Sequence, residues 1–369
     1  MNRRRLLAGL VACAPSSLIV AAIRPSTPPR AWHRPENSIG RARLAAMIPL
    51  VPSGPVTSRV HGQVLENLDI DAAFGHAVTV VHRGVTVRNC RIRHAAGHGI
   101  HAEAATGLVL EDLEIACLEA SSASRLNRTG NNVNIENCPN AVIKRVKASR
   151  GSSNIYTVRC EGTRMSFLEL HDACGAVPRG QNVQFDKSPN SILEDFSAEN
   201  GPTSWTEDNV SVFRSDRCVV RRGLVSYNNS PSGDGVMIEG SLDCTVEDVD
   251  AVEQGNGAFA AIPSGGVSCG GCTFLRCRTR DSYNAKRDGR AAPSSNGLSF
   301  YTLISPGAQK HTITDCHYDG LANPNNLIWK LAAVDTGWSF TPRVFAPRKP
   351  IRLAFGWWEP GSPEHQHLR

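Results

Sequence analysis

Short segments in which apolar and polar residues alternate recur along most of this chain. Three of them, at 181–187, 208–214 and 234–240, place a valine at the same inward position. These are Val183, Val210 and Val236, which are 27 and 26 residues apart. A period of two is typical of a strand that buries one face. A strand that returns at the same point of a repeat of this length predicts a β-solenoid.

The repeat extends far beyond these three segments. One predicted strand series recurs every 23 to 28 residues, with two longer intervals of 33 and 39 residues that add loops near 121–130 and 285–295; its strands begin at Val85, Leu108, Ala141, Met165, Ser191, Cys218, Cys244, Cys272 and His311. A second series supplies a partner strand for each coil, beginning at Ile100, Val133, Ile155, Val183, Val210, Val236, Phe259 and Leu298. No amphipathic helix of useful length separates these strands, which excludes doubly wound and barrel α/β folds.

This repeat resembles the right-handed parallel β-helix of the pectate-lyase-like superfamily, over about residues 59–320. The resemblance implies the right hand of the coil, which periodicity cannot supply. The expected fold class is therefore all-β: a single right-handed parallel β-helix with N- and C-terminal caps. The superfamily includes lyases, hydrolases, epimerases and adhesins, so the fold alone does not name a function.

Both ends of the chain differ from the repeat. Residues 1–22 resemble a twin-arginine export signal, because three consecutive arginines precede an apolar run, and Cys13 also fits a lipoprotein signal that would leave it acylated. The protein is expected in the periplasm or outside the cell, with no membrane span in the mature chain. Residues 23–58 are predicted to form a linker and N-terminal cap, and 321–369 a C-terminal capping segment. Tryptophans such as Trp329 in that last segment could alternatively stack on sugars.

The twelve cysteines do not read as a disulfide framework. Cys218, Cys244 and Cys272 occupy one repeat position, and a second position is shared by others. Free cysteine packs as a small apolar group and suits a narrow stacked core. We therefore predict that most are free and buried. The Cys269–Cys272 spacing could also belong to a local disulfide or a metal pair, but no second ligand pair follows it.

The formal charge of +6 includes three arginines of the export signal. The remaining excess is too small to indicate nucleic acid, and no aromatic–basic patch supports such a partner. The expected partner is a polysaccharide, predicted to be anionic, and the protein is expected to be a monomer.

Outward positions of the middle coils carry the densest set of charged and amide side chains. Alternation predicts that Arg159, Lys187 and Arg214 form one row, with Asp186 and Glu239 beside it. Strand alternation alone would point these side chains into the core. The row therefore requires a turn at the strand end that directs them outward. The same assumption places Gln181, Asp208 and Asp234 at the other end of the strand. Other candidates for substrate binding are Gln184, Trp205 and Arg179, and Glu207 lies at an entering turn.

One interpretation of this face is a lyase that cleaves an anionic polysaccharide by β-elimination. Such a reaction needs positive charge to stabilise the developing enolate, and a base to remove a proton. Lys187 among other cations fits the base, and Arg214 or Arg179 could hold the substrate carboxylate. Asp186 is the third predicted catalytic residue, and it could also contribute to a Ca²⁺ site. Glu207, Asp208 and Asp234 could hold Ca²⁺, which prefers oxygen ligands. The resemblance makes this scheme natural, because lyases of the superfamily often use Ca²⁺ with an arginine or lysine base.

Three alternatives remain open. A glycoside hydrolase could use Asp186 and Glu239, which lie two coils and thus about 10 Å apart, slightly wide for an acid and a base that flank a water. The Gly97–His98–Gly99 run matches one used by hydrolases of this fold, but it fits a turn before a strand equally well. C5-epimerisation would share the proton abstraction of the lyase. The protein could also bind or assemble polysaccharide without catalysis, with the charges forming a solvated salt-bridge ladder.

Overall fold

The computed structural model describes residues 48–118, 130–175, 180–201, 204, 206–228, 230, 232–282, 286–287, 290–291, 297–321, 325, 327–355 and 357–358. The predicted export signal, Cys13 and most of the predicted linker and loops lie outside these residues. Within the described ranges, no helix is long and apolar enough to cross a membrane.

The described chain is built almost entirely of β-strands. In chain order these are β1 (Ile48–Pro49), β2 (Val51–Ser53), β3 (Val56–Thr57), β4 (Val64–Glu66), β5 (Leu68–Ala72), β6 (Val78–Val80), β7 (Thr86–His94), β8 (Ile100–Glu103), β9 (Val109–Cys117), β10 (Val133–Glu136), β11 (Val142–Ser149), β12 (Ile155–Val158), β13 (Arg164–His171), β14 (Val183–Asp186), β15 (Ile192–Glu199), β16 (Val210–Phe213), β17 (Val219–Asn228), β18 (Asp234–Glu239), β19 (Thr245–Gln254), β20 (Gly257–Ile262), β21 (Thr273–Leu275), β22 (Arg278–Arg280), β23 (Lys286–Arg287), β24 (Arg290–Ala291), β25 (Leu298–Thr302), β26 (Thr312–Thr314), β27 (Cys316–Asp319), β28 (Ile328–Trp329), β29 (Phe340–Pro342) and β30 (Trp357–Trp358). One 3-10 turn, Leu331–Ala333, precedes β29.

Two long parallel sheets form the walls of the solenoid. Sheet A has 11 strands in the order β3-β6-β8-β10-β12-β14-β16-β18-β20-β25-β28. Sheet B has 15 strands along the path β2-β5-β7-β9-β11-β13-β15-β17-β19-β22-β27-β29, with β4, β21 and β26 paired beside it. Each coil contributes to both sheets, so like positions stack from coil to coil. The predicted parallel β-helix is therefore confirmed.

The paired strands begin before residue 59 and continue beyond residue 320. At the start, β2 pairs with β5, and β3 pairs with β6. At the end, β28 and β29 add one strand to each sheet. These extra strands lie in the segments for which the sequence predicted caps.

Apolar side chains of like shape fill the interior in stacked rows. Val183, Val210 and Val236 are fully buried at successive steps of sheet A, as their alternation predicts. In the C-terminal coils, phenylalanines occupy the position of these valines, and Phe259 stacks on Phe300 with ring centroids 5.3 Å apart. All described cysteines are free, and only Cys174 is not buried, which confirms the packing role predicted for them.

In sheet A, a residue in the left-handed conformation follows each of the strands β8, β10, β12, β14, β16 and β18 at the same position. Arg159, Lys187 and Arg214 have φ of 52°, 49° and 50°. A residue in this conformation breaks the alternation of the strand and turns its side chain outward. This turn is the one that the sequence analysis had to assume for the cationic row.

An asparagine ladder holds the corner where the chain enters sheet A. Asn132 donates to Asn154 (2.7 Å), Asn154 donates to Asn182 (2.6 Å), and Asn182 donates to Asn209 (3.1 Å). His94 lies at the start of the ladder, with its Nε2 at 2.7 Å from Asn132 Oδ1. These side chains are buried, and each donates a hydrogen bond to the next, so the cost of burying unpaired amides is avoided.

The C-terminal residues 343–355 run back along the outer face of sheet B. Phe345 lies against Arg278, Arg348 donates its backbone N–H to Asp250 (2.6 Å), and Leu353 donates its N–H to Glu169 (2.6 Å). This segment crosses the sheet from β22 to β13, and it adds hydrogen bonds to two carboxylates that Arg278 and His171 already contact. Sheet B is thereby covered, whereas the candidate site lies on sheet A.

Candidate active site

Two rows of outward side chains line sheet A in register. The first row consists of Asn134, Tyr156, Gln184, Ser211 and Met237, and the second consists of Glu136, Val158, Asp186, Phe213 and Glu239. Neighbouring members are one strand spacing apart, about 4.8 Å. Asp186 and Glu239 therefore flank Phe213, as the alternation predicts. Tyr156 donates its hydroxyl to Asp186 Oδ2 (3.1 Å).

The cationic row forms at the left-handed turn, but carboxylates accompany two of its members. Arg159 lies 3.8 Å from Glu136. Lys187 Nζ lies 3.2 Å from Asp186 Oδ1, within ion-pair distance but outside hydrogen-bond geometry. Arg214 instead lies over the ring of Phe213, 4.8 Å from its centroid. Its Nε is buried and has no hydrogen-bond partner in the described part of the chain.

The corner position two residues before the inward valine also faces the outside of sheet A. Asn131 shows this directly, because its amide donates to Asn134 Oδ1 (2.9 Å) in the outward row. In the following coils this position is occupied by Gln181, Asp208 and Asp234. The side chain points outward here because the residue that follows it in these coils, such as Asn132, Asn182 or Asn209, belongs to the buried asparagine ladder. The second assumption made for the candidate site therefore holds as well.

Three carboxylates converge at this corner. Gln181 donates its amide to Glu207 Oε2 (3.2 Å), and Asp234 donates its N–H to Asp208 Oδ1 (2.8 Å). Asn209 donates its N–H to the carbonyl of Asp234 (3.1 Å), so Asp208 and Asp234 are on adjacent strands. Asp208 is 6% exposed and Asp234 is fully buried, whereas Glu207 is half-buried.

Burial raises the pKa of both aspartates. The pKa of Asp234 is raised to about 8, mainly because burial disfavours the charged form, and secondly because Glu207 repels it. The pKa of Asp208 is raised well above its usual value by burial, then by the charges of Glu207 and Asp234. At neutral pH the cluster therefore retains protons that ordinary surface aspartates have lost.

The surroundings of Asp234 confine its carboxyl group but leave one of its oxygen atoms without a hydrogen bond. Its Oδ2 is buried and has no hydrogen-bond partner among the described residues. A Cβ on Gly257 would lie only 2.1 Å from Oδ1, so this position accepts no side chain while Asp234 stays in place. Buried polar groups are normally paired. A buried acid with a raised pKa and an unpaired oxygen atom is typical of a functional site.

Calcium ligation stays a prediction. Glu207, Asp208 and Asp234 supply oxygen atoms, which Ca²⁺ prefers. Among the described residues, however, no group of three or more His, Cys, Asp or Glu side chains has the arrangement of a metal site. A raised pKa also means that these aspartates hold protons rather than presenting charge to a cation. The residues do not fit the ion well, and no step below depends on it.

Several predicted residues come together and others cannot be placed. The described structure brings Gln181, Glu207, Asp208 and Asp234 to the corner, and Gln184, Asp186, Lys187, Arg214, Arg159 and Glu239 to the neighbouring face. Arg179 and Trp205 lie outside the described residues. The sequence analysis did not single out Phe213, which lies between the carboxylates of Asp186 and Glu239. Its position follows from the same alternation. The sequence analysis also missed the asparagine ladder, whose signal was an asparagine at the same repeat position in four coils.

Comparison with known proteins supports the architecture. No protein-family model matches the sequence, and the search of curated proteins found no match. Among solved structures, the chain is similar to the Dettilon tailspike protein, with a TM-score of 0.54, 8% identity, and coverage of 82% of this chain and 63% of that one. It is also similar to the catalytic domain of a GH87 alpha-1,3-glucanase in complex with nigerose, with a TM-score of 0.51, 10% identity, and coverage of 77% and 54%. The chain thus spans less than two thirds of either protein.

A third structure, the periplasmic alginate epimerase AlgG, has a TM-score of 0.40 with 9% identity, and covers 76% of this chain and 68% of its own. That similarity is too low to support an inference. At the identities of the first two, likeness extends to the fold alone. The strand order, the stacked register and these two structures agree: the chain is a right-handed parallel β-helix.

Proposed function

We propose that this protein is a carbohydrate-active enzyme that hydrolyses glycosidic bonds of a polysaccharide at the Glu207–Asp208–Asp234 corner. The observation that carries the proposal is the raised pKa of two buried aspartates on adjacent strands beside a third, more exposed carboxylate. Glycoside hydrolysis needs one carboxylic acid that stays protonated to reach the leaving oxygen, and a second that is ionised.

The three side chains divide these roles by exposure. Asp208 is the more accessible of the two raised acids, so it is the proton donor to the glycosidic oxygen. Glu207 is half-buried and oriented by Gln181, and it is the second carboxylate that faces the sugar or activates a water. Asp234 is fully buried, and it donates its backbone N–H to Asp208 Oδ1 (2.8 Å), which orients that carboxyl group. We therefore treat Asp234 as a positioning residue.

The substrate class is inferred from the outward face of sheet A and from proteins of similar fold. The outward rows of sheet A run along the stack, which suits an extended polymer rather than a small molecule. A glucanase catalytic domain and a phage tailspike are among the proteins of similar fold. These similarities support a polysaccharide as the substrate but do not name it.

The test is the release of reducing ends from a panel of polysaccharides by the full-length protein. Asp208→Asn should lower the rate by about 100- to 10,000-fold, the range that general acid catalysis contributes. Asp315→Asn is the matched control, because Asp315 is an exposed aspartate on sheet B in a left-handed conformation that asparagine also tolerates. Equal activity of both variants, or no product from any polymer, contradicts the proposal.

β-Elimination with Lys187 as base is a second candidate. Its support is the row of Arg159, Lys187 and Arg214 on the exposed face, and the unpartnered Nε of Arg214. The carboxylate of Asp186 argues against it, because Lys187 Nζ lies 3.2 Å from Asp186 Oδ1 and is held in that ion pair instead of facing a substrate. Unsaturated products, detected by their ultraviolet absorbance and lost in Lys187→Ala, would favour the lyase over the hydrolase.

A further inference from the structure

We propose that Asn228 is a positioning residue of the three-carboxylate corner, because its buried amide ties the main chain of Glu207 to that of Asp234 and fixes how close the two acids lie. The inference rests on the proposed function, since it adds a residue to the same site. Three observations carry it: the hydrogen bonds that the amide donates, the bonds that hold the amide in place, and the close approach of Gly233 to Glu207.

The amide of Asn228 bonds to both segments that carry the acids. Asn228 is 1% exposed and ends β17. Its Nδ2 donates to the carbonyl of Glu207 and to the carbonyl of Asp234, the latter at 3.2 Å. Glu207 precedes β16 and Asp234 begins β18, so one side chain joins two successive strands of sheet A. Asparagine suits this position because its amide nitrogen carries two N–H donors.

Further hydrogen bonds fix the orientation of that amide. Asn228 Oδ1 accepts the backbone N–H of Ser230 (2.7 Å). The Oγ of Ser230 in turn accepts the backbone N–H groups of Ser232 (3.3 Å) and Gly233 (2.9 Å). The main chain that leads into Asp234 is thus bonded back to the asparagine. Because Asn228 and Ser230 are buried, a bond that is lost here leaves a polar group without a partner, which is costly.

Gly233 shows how closely the two segments approach. A Cβ on Gly233 would lie 1.9 Å from the carbonyl oxygen of Glu207 and 2.9 Å from Asp208 Oδ1, so no side chain fits there. This contact brings the N–H of Asp234 to Asp208 Oδ1 at 2.8 Å. The amide of Asn228 bonds to the same carbonyl of Glu207 that Gly233 touches. The asparagine and the glycine therefore set one spacing together.

That spacing controls when the acids ionise. Burial and then the charge of Glu207 raise the pKa of Asp234, and the same two causes are the largest for Asp208. If the segments separate, water enters and the repulsion weakens, so both acids ionise at lower pH. Two further titratable groups face the corner: Glu239 adds to the raised pKa of Asp208, and the pKa of Tyr301 is raised by burial and then by Asp234. The substitutions below leave both in place.

The first measurement is thermal unfolding of full-length Asn228→Ala from pH 4 to 9, which needs no substrate. A lower folded-state pKa of Asp234 means that less stability is lost as pH rises. The Tm of the variant should therefore fall about half as far as that of wild type between pH 5 and 8. The matched control is Asn154→Ala. Asn154 is a buried asparagine whose amide also donates to two oxygen atoms, those of His171 and Asn182, two strands of sheet A away. This control should lower Tm and keep the wild-type pH dependence.

The second measurement is the pH profile of hydrolysis, whose alkaline limb reports the proton donor. In Asn228→Ala this limb should move to lower pH by about one unit. The kcat should fall about 100-fold with little change in KM, because the acids are displaced while the contacts to substrate remain. Gly233→Ala disturbs the same contact from the opposite side and keeps the amide. It should move the limb in the same direction.

A wild-type pH dependence of Tm in Asn228→Ala overturns the inference, because the asparagine would then only stabilise the fold. Equal shifts in Asn228→Ala and Asn154→Ala overturn it as well. These outcomes are separate from those of the hydrolase test. A flattened Tm curve in Asn228→Ala, with no reducing ends released by wild type, refutes the hydrolase and supports the control of the acids by Asn228. Hydrolysis whose alkaline limb stays in place in both Asn228→Ala and Gly233→Ala refutes the positioning role and leaves the hydrolase intact.

Discussion

Replacing Asp234 with asparagine should stabilise the protein at neutral and alkaline pH while lowering its activity. Asp234 is fully buried, and its pKa rises from 3.8 to about 8 on folding. A raised acid pKa means that the folded state keeps a proton that the unfolded chain releases. Stability from this group is therefore fully present below pH 3.8 and is lost as pH rises toward 8.

The magnitude follows from the size of the shift. Each unit of pKa difference is worth about 1.4 kcal/mol, so the loss reaches about 4 kcal/mol at pH 7 and somewhat more at pH 8. Asparagine has nearly the same shape and cannot ionise. Asp234→Asn should thus be more stable than wild type by about 4 kcal/mol at pH 7, and equally stable near pH 4. For a solenoid of this length, that corresponds to roughly 6 °C in Tm.

The assay is thermal unfolding of both proteins at a series of pH values from 4 to 9. Asp250→Asn is the informative control, because Asp250 is also fully buried but is paired with Arg278 at 2.7 Å. Removing its charge leaves the half-buried Arg278 without its carboxylate partner and should lower stability across the whole range. The reasoning fails if Asp234→Asn follows the same pH curve as wild type, or if both variants are destabilised alike at pH 8.

Three further predictions concern other parts of the molecule. Asn182→Ala should lower the free energy of unfolding by about 2–4 kcal/mol in denaturant titration, because it leaves neighbouring amides of the buried ladder unpaired; a change below 1 kcal/mol would show that the ladder is not sealed from water. Gly257→Ala should abolish hydrolysis with little change in circular dichroism, because its Cβ would displace the Asp234 carboxyl group; full activity would contradict the assigned position of that group. The pKa of His76 is lowered by burial and then by the charge of His101, so its contribution to stability should fall as pH drops below about 6.5, and His76→Asn should flatten that part of the Tm curve.

The coil repeat was predictable because its signal is local. Alternation along each strand and the return of Val183, Val210 and Val236 after similar intervals identified both sheets. The same alternation predicted that Asp186 and Glu239 would flank the strand of Phe213, and the stacked cysteines were correctly predicted to be free and buried. What alternation could not settle was the direction of residues beyond the strand ends, where a single left-handed residue reverses the parity.

The chemistry of the site was harder to predict, because it depends on how far each acid is buried from water and not on the alternation of residues. Asp208 and Asp234 were assigned as calcium ligands on the premise that they are ionised. Burial, and after it the charge of Glu207, raises the pKa of both, which is why we propose a proton donor at this corner. Lys187 was assigned as a base from its cationic neighbours, but the nearest charge to it in the structure is Asp186.

By itself, the sequence determined that the chain coils into a parallel β-solenoid and which coils carry the polar surface, because strand periodicity and repeat length are properties of neighbouring residues. The tertiary structure alone decided which acids share a buried corner, which cations are paired, and that the C-terminal residues 343–355 cover sheet B. The shared corner and the covering segment depend on contacts between residues more than twenty positions apart and on exclusion of water. The Lys187–Asp186 pair depends on the left-handed turn that directs two neighbouring side chains to one face. Neither is written in the order of residues along a strand.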